Sequence, residues 1–419
     1  MFLYGTSAAL VFGPLFFPNQ DPVVAAMLSF STFAASFVAR PVGAVVFGHF
    51  GDRVGRKVTL MTTMLLMGIA TFAVGLLPTY SVIGVAAPAL LVLLRFLQGF
   101  AFGGEYGGAT LIITEYAPPD KRGFYTGINN VGPAFGFVGS AGVFIVVSTS
   151  MSEAAFLDWG WRIPFLLSFV LVVTGLFLRF RISESPIFKA ALDQETHFKV
   201  PAAALIRHYP KELLLTAGST ILTFGAFQIF SVFTLAYGAR VLGVPSNTML
   251  FALIIATVGQ AWSTLWFSKR SDTVGRKKVI MGGMVLTALW AYPMLWLLDT
   301  ANFVAITAAV TVLMLIYGML FGPLGVYLGE MFGTRVRFTG IAVSYNIGSI
   351  LGGALAPIIA TYIVAEARAS WPLGLYIVGM AAISLFCALA LPETRRADLT
   401  ADRTAAASDD AATVPDTIR

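Results

Sequence analysis

The sequence has a single cysteine, Cys387, and only three histidines among its 419 residues. One cysteine excludes a disulfide framework and any site built from several thiolates. The three histidines, His49, His197 and His208, are too scattered to supply the clustered ligands of a metal site. The sequence therefore predicts no metal and no cofactor.

The sequence motifs of several enzyme classes are also missing. There is no GxxxxGK[ST] loop for the phosphates of ATP, no HExxH or CxxC pair for a metal and no GxSxG turn for a nucleophile. These absences argue against an enzyme and against a pump driven by ATP. An ion gradient is the energy source that remains, because one proton crossing 100 mV contributes about 2.3 kcal/mol.

Charge is scarce as well. Charged residues make up 11% of the chain and hydrophobic residues 57%, with a mean hydropathy of +0.82. Such a composition is too apolar for a soluble domain of this length and is typical of a protein that crosses a membrane many times. The net charge of +6 does not indicate nucleic-acid binding, because no soluble basic module accompanies it.

The apolar runs predict an all-α membrane protein with twelve transmembrane helices. The predicted spans, numbered 1 to 12 in chain order, cover residues 1–18, 23–48, 58–78, 84–115, 123–148, 160–181, 212–238, 246–268, 278–298, 303–331, 338–366 and 371–391. Most lysines and arginines fall in the loops after even-numbered spans and in the tail. The positive-inside rule therefore predicts that these loops and both termini are cytoplasmic.

A charged stretch between spans 2 and 3 is repeated between spans 8 and 9. The pattern Asp-x-Val-Gly-Arg-Lys occurs at 52–57 and again at 272–277, about 220 positions later, and RGFYTG at 122–127 matches RVRFTG at 335–340. The chain is therefore predicted to consist of two pseudo-symmetric six-helix bundles. We expect the first bundle at 1–188, a cytoplasmic linker at 189–211, the second bundle at 212–392 and a disordered tail at 393–419.

Each copy of this motif has a predicted local structure and role. Its glycine allows a sharp turn between two helices, and its aspartate can accept amide hydrogen bonds at the start of the next helix. Pairing between these charges predicts a cytoplasmic gate, with ordinary surface ion pairs as the alternative. The gate candidates are Asp52, Gly55, Arg56, Glu115, Arg122, Asp272, Arg276, Glu330 and Arg335.

Span 4 carries three polar side chains on one helical face, namely Arg95, Gln98 and Glu105. Ionisable groups within a bilayer usually face a polar interior path, so Arg95 and Glu105 are predicted to take part in transport, with a structural ion pair as the alternative. Glu105 is the only acid placed deep within a span, which suits a proton carrier. Arg40 in span 2 is either the cation that stabilises the charged form of Glu105 or an anchor for a substrate carboxylate.

Other features of the spans indicate packing and a cavity. The glycines at 99, 103 and 107 lie one helical turn apart and predict close approach of a neighbouring helix. Polar groups inside otherwise apolar spans are candidates for lining a central cavity, although each also suits hydrogen bonding between helices. The cavity candidates are Tyr106, Asn129, Asn130, Gln228, Tyr317, Tyr345 and Asn346, and Gln260 in span 8 is a polar group of the same kind.

The stretch GHFGDRVGRK at 48–57 resembles the signature loop between spans 2 and 3 of the major facilitator superfamily, and RFLQG at 95–99 resembles its RxxQG signature in span 4. WGWRIPF at 159–165 and ESP at 184–186 are similar to the metabolite:proton symporters, the branch with shikimate and proline or betaine carriers. This resemblance implies an alternating-access carrier of the bacterial inner membrane and links Arg95 to proton coupling. In that branch an acidic segment precedes the stretch at 1–6, so we expect the first helix to begin upstream of Met1.

Two arginines against one acid within the spans favour a small substrate that carries a carboxylate or is zwitterionic. The expected partners are this metabolite, protons and the lipid bilayer, with no nucleic acid and with the monomer as the working unit. A proton-driven antiporter is one alternative, for which the glycine and proline run at 132–136 is the hint. A transport-like nutrient receptor is the alternative from another class.

Overall fold

The computed structural model describes residues 2–54, 56–180, 205, 207, 209–332 and 337–395, and this part of the chain is helical almost throughout, with no strand. The helices of the first half are Phe2–Leu10, Phe12–Phe16, Pro22–Val54, Arg56–Leu76, Tyr80–Ile83, Ala86–Gly103, Glu105–Tyr116, Arg122–Thr149, Glu153–Asp158 and Ile163–Phe180. Those of the second half are Pro210–Gln228, Thr234–Arg240, Ser246–Val274, Arg276–Asp299, Phe303–Phe321, Leu324–Met331, Arg337–Gly348, Ala356–Ala367 and Trp371–Ala390. Two π-helical turns, Ile229–Phe233 and Ser349–Ala354, continue spans 7 and 11.

Within the described residues, 11 helices are long and apolar enough to cross a membrane, and they correspond to predicted spans 2 to 12. The two short helices at 2–16 occupy the place of predicted span 1. The predicted fold class, an all-α membrane protein of two six-helix bundles, is confirmed. Most of the predicted linker at 189–211 and of the tail at 393–419 lies outside the described residues.

The outer surface of the bundles is apolar. Phe135, Leu171 and Phe386 are 72%, 73% and 73% exposed. Water would strongly disfavour so many exposed large side chains, whereas lipid tails solvate them. The polar groups lie instead between the helices.

Two helices extend further than their apolar runs predict. Span 2 continues to Val54 and span 8 to Val274, because a helix still satisfies its backbone hydrogen bonds beyond the hydrocarbon. The connection between spans 8 and 9 is thus reduced to Gly275, which has φ +115°. Only glycine adopts this conformation readily, so the predicted turn glycine is confirmed here. Its counterpart Gly55 lies outside the described residues.

Glycines bring spans 2 and 4 close together. A Cβ added at Gly99 would overlap the carbonyl oxygen of Ser36, and one at Gly103 would overlap that of Arg40. The second half repeats this packing, since a Cβ at Gly318 of span 10 would overlap Ser263 of span 8. The predicted role of the glycine spacing in helix packing is confirmed, and it fixes the depth and rotation of Arg40.

Candidate functional site

The two halves enclose a central cavity of about 150 Å³. Phenylalanine rings form much of its wall, and its polar lining side chains are Thr6, Arg40, Gln228, Ser231, Gln260, Tyr317 and Tyr345. Arg40 is the only charged residue among the described residues that line it. The cavity therefore combines one cation, several neutral hydrogen-bonding groups and apolar walls, as small-molecule sites commonly do.

Aromatic rings hold the guanidinium of Arg40 in place. Its Cζ lies 3.7 Å from the ring centroid of Phe37 and 4.5 Å from that of Phe102. The side chain is only 2% exposed. Cation–π contacts fix the plane of the guanidinium, and a carboxylate matches the planar geometry of its N–H groups.

The second half supplies the facing amides. Gln228 and Ser231 lie on either side of the start of the π-helical turn in span 7, a distortion that often occurs at functional sites. Gln260 of span 8 is 1% exposed, and its Oε1 has no hydrogen-bond partner among the described residues. An unpaired buried amide oxygen is costly, so a ligand that donates a hydrogen bond to it would be stabilised.

Gln260 corresponds to Arg40 in the internal repeat. The same shift of about 220 positions that aligns Asp52 with Asp272 carries residue 40 onto residue 260. Both side chains line the cavity, one from each half. Gln260 is a polar group inside an otherwise apolar span, and the register of the repeat is a second signal that identifies it.

The predicted cavity residues divide into three groups. Gln228, Tyr317 and Tyr345 line the cavity. Tyr106 and Asn130 contact the opposite half beside it, as described below. Asn129 and Asn346 are not among the described lining residues, and the Nδ2 of Asn346 donates to the carbonyl of Ala342 in its own helix at 2.7 Å.

Beside the cavity, the two halves meet through Tyr106 and Asn130. The rings of Tyr106 and Tyr345 are stacked with their centroids 4.0 Å apart. The Nδ2 of Asn130 donates to the carbonyl oxygens of Phe321 and Gly322 at 2.9 and 3.2 Å. These contacts join spans 4 and 5 to spans 10 and 11 directly.

Arg95 and Gln98 lie inside the first bundle rather than in the central cavity. They border a separate small pocket together with Ser36, Met67 and Phe102, and the Nε2 of Gln98 donates to Thr71 at 2.9 Å. Phe102 lines both this pocket and the central cavity. Glu105 is half-buried and lines neither of them.

We call the side of the molecule that carries the Gly275 turn and the loop after span 4 the motif face, and the opposite side the far face. On the motif face Asp272 accepts hydrogen bonds from the backbone N–H groups of Gly123 and Phe124 at 2.8 and 3.0 Å. These amides begin span 5 of the first half. The prediction that Asp272 would bind the start of the helix that follows it is therefore wrong: it binds a helix of the other half.

Glu393, just beyond span 12, has the role that was predicted for Asp272, which is to accept hydrogen bonds at the start of span 9. Its carboxylate accepts from the backbone N–H groups of Arg276 and Lys277 at 2.9 and 3.2 Å, which are the first amides of span 9. The short turn at Gly275 directs these amides toward Glu393. Carboxylates at helix N-termini are stabilised by the free N–H groups and the helix dipole.

Arg276 links the charged groups of the motif face. Its guanidinium pairs with Asp272 and lies 3.4 Å from the Oε2 of Glu330, and all three side chains are nearly buried. Glu330 also interacts electrostatically with Arg122 of the first half and accepts from the hydroxyl of Thr394 at 2.8 Å. Four of the nine gate candidates thus form one network across the two halves. The side chains of the other five, Asp52, Gly55, Arg56, Glu115 and Arg335, lie outside the described part of the structure.

The far face is less closed than the motif face. A second cavity of about 430 Å³ separates spans 2, 7 and 11 on this side. The halves still touch there, since the hydroxyl of Ser148 in span 5 lies 3.0 Å from the Oδ1 of Asn247 in span 8. The described contacts thus close the molecule on one face and leave a hollow on the other.

Two helical bundles around a central cavity that combines apolar walls with a few polar groups fit a membrane transporter with a site between its two halves. Comparison with known protein families identifies the class more narrowly. Residues 7–199 match the family described as Sugar (and other) transporter, and residues 219–413 match the Major Facilitator Superfamily.

Relatives of similar length match nearly the whole chain. The inner membrane metabolite transport protein YhjE of Escherichia coli K12 is 39% identical over 95% of this chain and 91% of its own. The shikimate transporter of the same organism is 35% identical over 94% and 91%, and its proline/betaine transporter is 32% identical over 96% and 82%. The partially occluded inward-open structure of the E. coli xylose transporter XylE superposes with a TM-score of 0.73 at 17% identity, covering 95% of this chain and 97% of that one.

The chain belongs to the major facilitator superfamily, in the branch of metabolite transporters that its motifs indicate. It is a multi-pass membrane transporter and not an enzyme.

Proposed function

We propose that the protein is a proton-coupled symporter that imports a small metabolite bearing a carboxylate across the bacterial inner membrane. The observation that carries this proposal is Arg40, the single cation among the described lining residues of the central cavity, with its guanidinium close to two aromatic rings. An arginine in a cavity with apolar walls binds a planar carboxylate through two parallel hydrogen bonds, whereas it would repel a cationic substrate.

Gln260 extends the recognition to the rest of the substrate. Its unpartnered Oε1 accepts a hydrogen bond, which favours a hydroxyl or ammonium group on the same molecule. The names of two relatives fit this chemistry, because shikimate, proline and betaine all bear a carboxylate. The phenylalanine rings around the cavity then contact the apolar carbon atoms of the substrate.

Proton coupling is assigned to Arg95, Gln98 and Glu105 in span 4. Phe102 lines both the central cavity and the small pocket that contains Arg95 and Gln98. A movement of the Phe102 ring when substrate binds would therefore affect both sites. Glu105 lies deeper within this span than Glu115 and takes the proton in our proposal. The motif face is cytoplasmic under the positive-inside rule, and the gate is closed toward the cytoplasm in this conformation.

Uptake into proteoliposomes tests this proposal. We expect an inward proton gradient to stimulate uptake of at least one of shikimate, proline and glycine betaine, and not of xylose. Glu105→Gln should keep substrate exchange at equal pH on both sides and lose accumulation driven by the gradient. Uptake of xylose alone, or proton-driven expulsion of these compounds, would overturn the proposal, and binding without flux would favour a receptor.

A further inference from the structure

The far-face cavity has a distinctive pattern of charge. It lies between the start of span 2 and the ends of spans 7 and 11, and two arginines, Arg240 and Arg368, contribute to its lining. None of the described lining residues is acidic. A cleft between apolar walls that carries charge of one sign concentrates its field and attracts ions of the opposite sign.

Arg240 is held at the boundary between the two halves. Its Nη1 lies 3.5 Å from the carbonyl oxygen of Pro22 in the first half, and its Nη2 would lie 3.4 Å from a Cβ at Gly13. Arg368 ends span 11 in the left-handed conformation, with φ +51°, and is exposed. Both guanidinium groups therefore sit at the edge of the cavity where a solute first meets the protein.

Three acids lie near this cavity but are not among its described lining residues. The carboxylate of Asp299 accepts hydrogen bonds from the hydroxyls of Tyr237 and Ser370. Asp21 and Glu366 are exposed neighbours in sequence of lining residues but do not line the cavity. The two arginines are consequently the only charged residues among the described residues that line the cavity.

The same helix leads from this cavity to the central one. Phe30 and Phe233, which are 1% and 3% exposed, form part of the inner wall of the far-face cavity. Arg40 follows Phe30 by ten residues on span 2, which corresponds to about 15 Å along a helix. A solute at the far face is thus separated from Arg40 by a short, largely aromatic stretch.

We propose that the far-face cavity is an outer binding site for small organic anions, in which Arg240 and Arg368 hold the substrate's carboxylate before it moves to Arg40. This proposal rests on the carboxylate substrate proposed above. It adds a second, earlier binding step, whose effect is on capture of the substrate rather than on its movement through the protein.

Thiol labelling in detergent tests the site without relying on transport. In a Cys387→Ser background, a cysteine is introduced at Ala365 in the cavity lining, and its reaction rates with anionic sulfonatoethyl and cationic trimethylammonioethyl methanethiosulfonate are compared. We expect the anionic reagent to be favoured, and the ratio of the two rates to fall about tenfold when Arg240→Gln and Arg368→Gln are combined. The same comparison at Ser81→Cys, an exposed far-face position outside the cavity, should not respond to these substitutions.

Transport kinetics give the second readout. With the carboxylate that the wild-type protein takes up, the double arginine variant should raise KM several-fold at low salt, with kcat unchanged and with less dependence on ionic strength. An unchanged ratio of labelling rates at position 365 would overturn the outer site even if uptake is normal. If the ratio of labelling rates falls as expected in the double arginine variant but the wild-type protein takes up no carboxylate, the result would count against the proposed function alone.

Discussion

Asp272 of the second half accepts a 2.8 Å hydrogen bond from the backbone N–H of Gly123 in the first half. The same carboxylate pairs with Arg276, which in turn contacts Glu330. One side chain therefore connects the start of span 5 to the charged network at the ends of spans 8, 9 and 10. In our proposal these groups separate when the motif face opens, and we therefore expect the strength of this contact to shift the balance between the two conformations.

Replacing Asp272 with asparagine should weaken closure of the motif face. The amide keeps the shape of the side chain but loses the charge that binds Arg276 and one of the two acceptor oxygens that meet Gly123 and Phe124. We expect about a 10- to 100-fold shift toward the conformation that is open on this face, since a charge-assisted hydrogen bond contributes about 1.5–3 kcal/mol. Cysteine accessibility on the motif side of the cavity measures the shift.

Asp120→Asn provides the matched control. Asp120 is an exposed acid in the loop just before Gly123, so its removal changes the net charge of the motif face by the same amount. Equal effects of the two substitutions would mean that overall charge, and not the contact with span 5, holds this face closed.

Gly127→Ala tests the same interface through packing. A Cβ at Gly127 would overlap the side chain of Ser268 across the boundary between the halves. Overpacking of this kind costs about 1–3 kcal/mol, and it applies only while the motif face is closed. We therefore expect slower uptake and a more open motif face, with little loss of thermal stability. Gly132→Ala, in the same helix with nothing within 4 Å of its Cβ, should behave as the wild type.

The sequence was sufficient to predict the fold because hydropathy and the repeat each act over long stretches. Apolar runs of about 20 residues identify spans independently of their neighbours, and two motif pairs, each repeated a little over 200 positions later, define the halves. The partner of Asp272 could not be predicted in this way. It lies 149 positions away in the other half, so only the packing of spans 5 and 8 brings it close.

The cavity residues were harder to predict because helix rotation decides them. Neighbouring residues differ by about 100° around a helix. Tyr345 thus lines the cavity while Asn346 bonds within its own helix, and Asn130 reaches the other half while Asn129 does not line the cavity. The rotation of each span follows from contacts such as those of Gly99 and Gly103, whose partners the sequence does not name.

Substitutions at Arg40 separate charge from geometry. Arg40→Gln should raise KM for a carboxylate by about 10- to 100-fold, because a charge-assisted pair contributes about 1.5–3 kcal/mol. Arg40→Lys keeps the charge but loses the planar group that lies against Phe37 and Phe102, so we expect an intermediate KM. Initial uptake rates over a range of substrate concentrations measure both. A lysine variant equal to the wild type would show that the stacked geometry has no role.

Gly99→Ala should destabilise the first bundle itself. The added methyl group would overlap the carbonyl oxygen of Ser36, which as backbone cannot rotate away. Span 2 must then move off span 4, and Arg40 moves with it. We expect a lower thermal unfolding temperature in detergent together with weaker carboxylate binding. Gly139→Ala, which has nothing within 4 Å of its Cβ, is the control, and an equal loss of stability there would rule out the span 2 contact as the cause.

Gln260 offers the sharpest test of how the substrate is recognised. Gln260→Met keeps the length of the side chain and removes the unpartnered Oε1 from the cavity. For a substrate that donates a hydrogen bond there, as shikimate or proline can, KM should rise about tenfold, because a lost buried hydrogen bond costs about 1.5 kcal/mol. Glycine betaine has no N–H or O–H group in its zwitterionic form, so its uptake should be unchanged or improved.

Competition between proline and betaine in the wild type and in this variant measures the difference within one preparation, since changes in expression or stability affect both substrates equally. Equal loss for both would mean that Gln260 acts by shaping the cavity rather than by accepting a hydrogen bond.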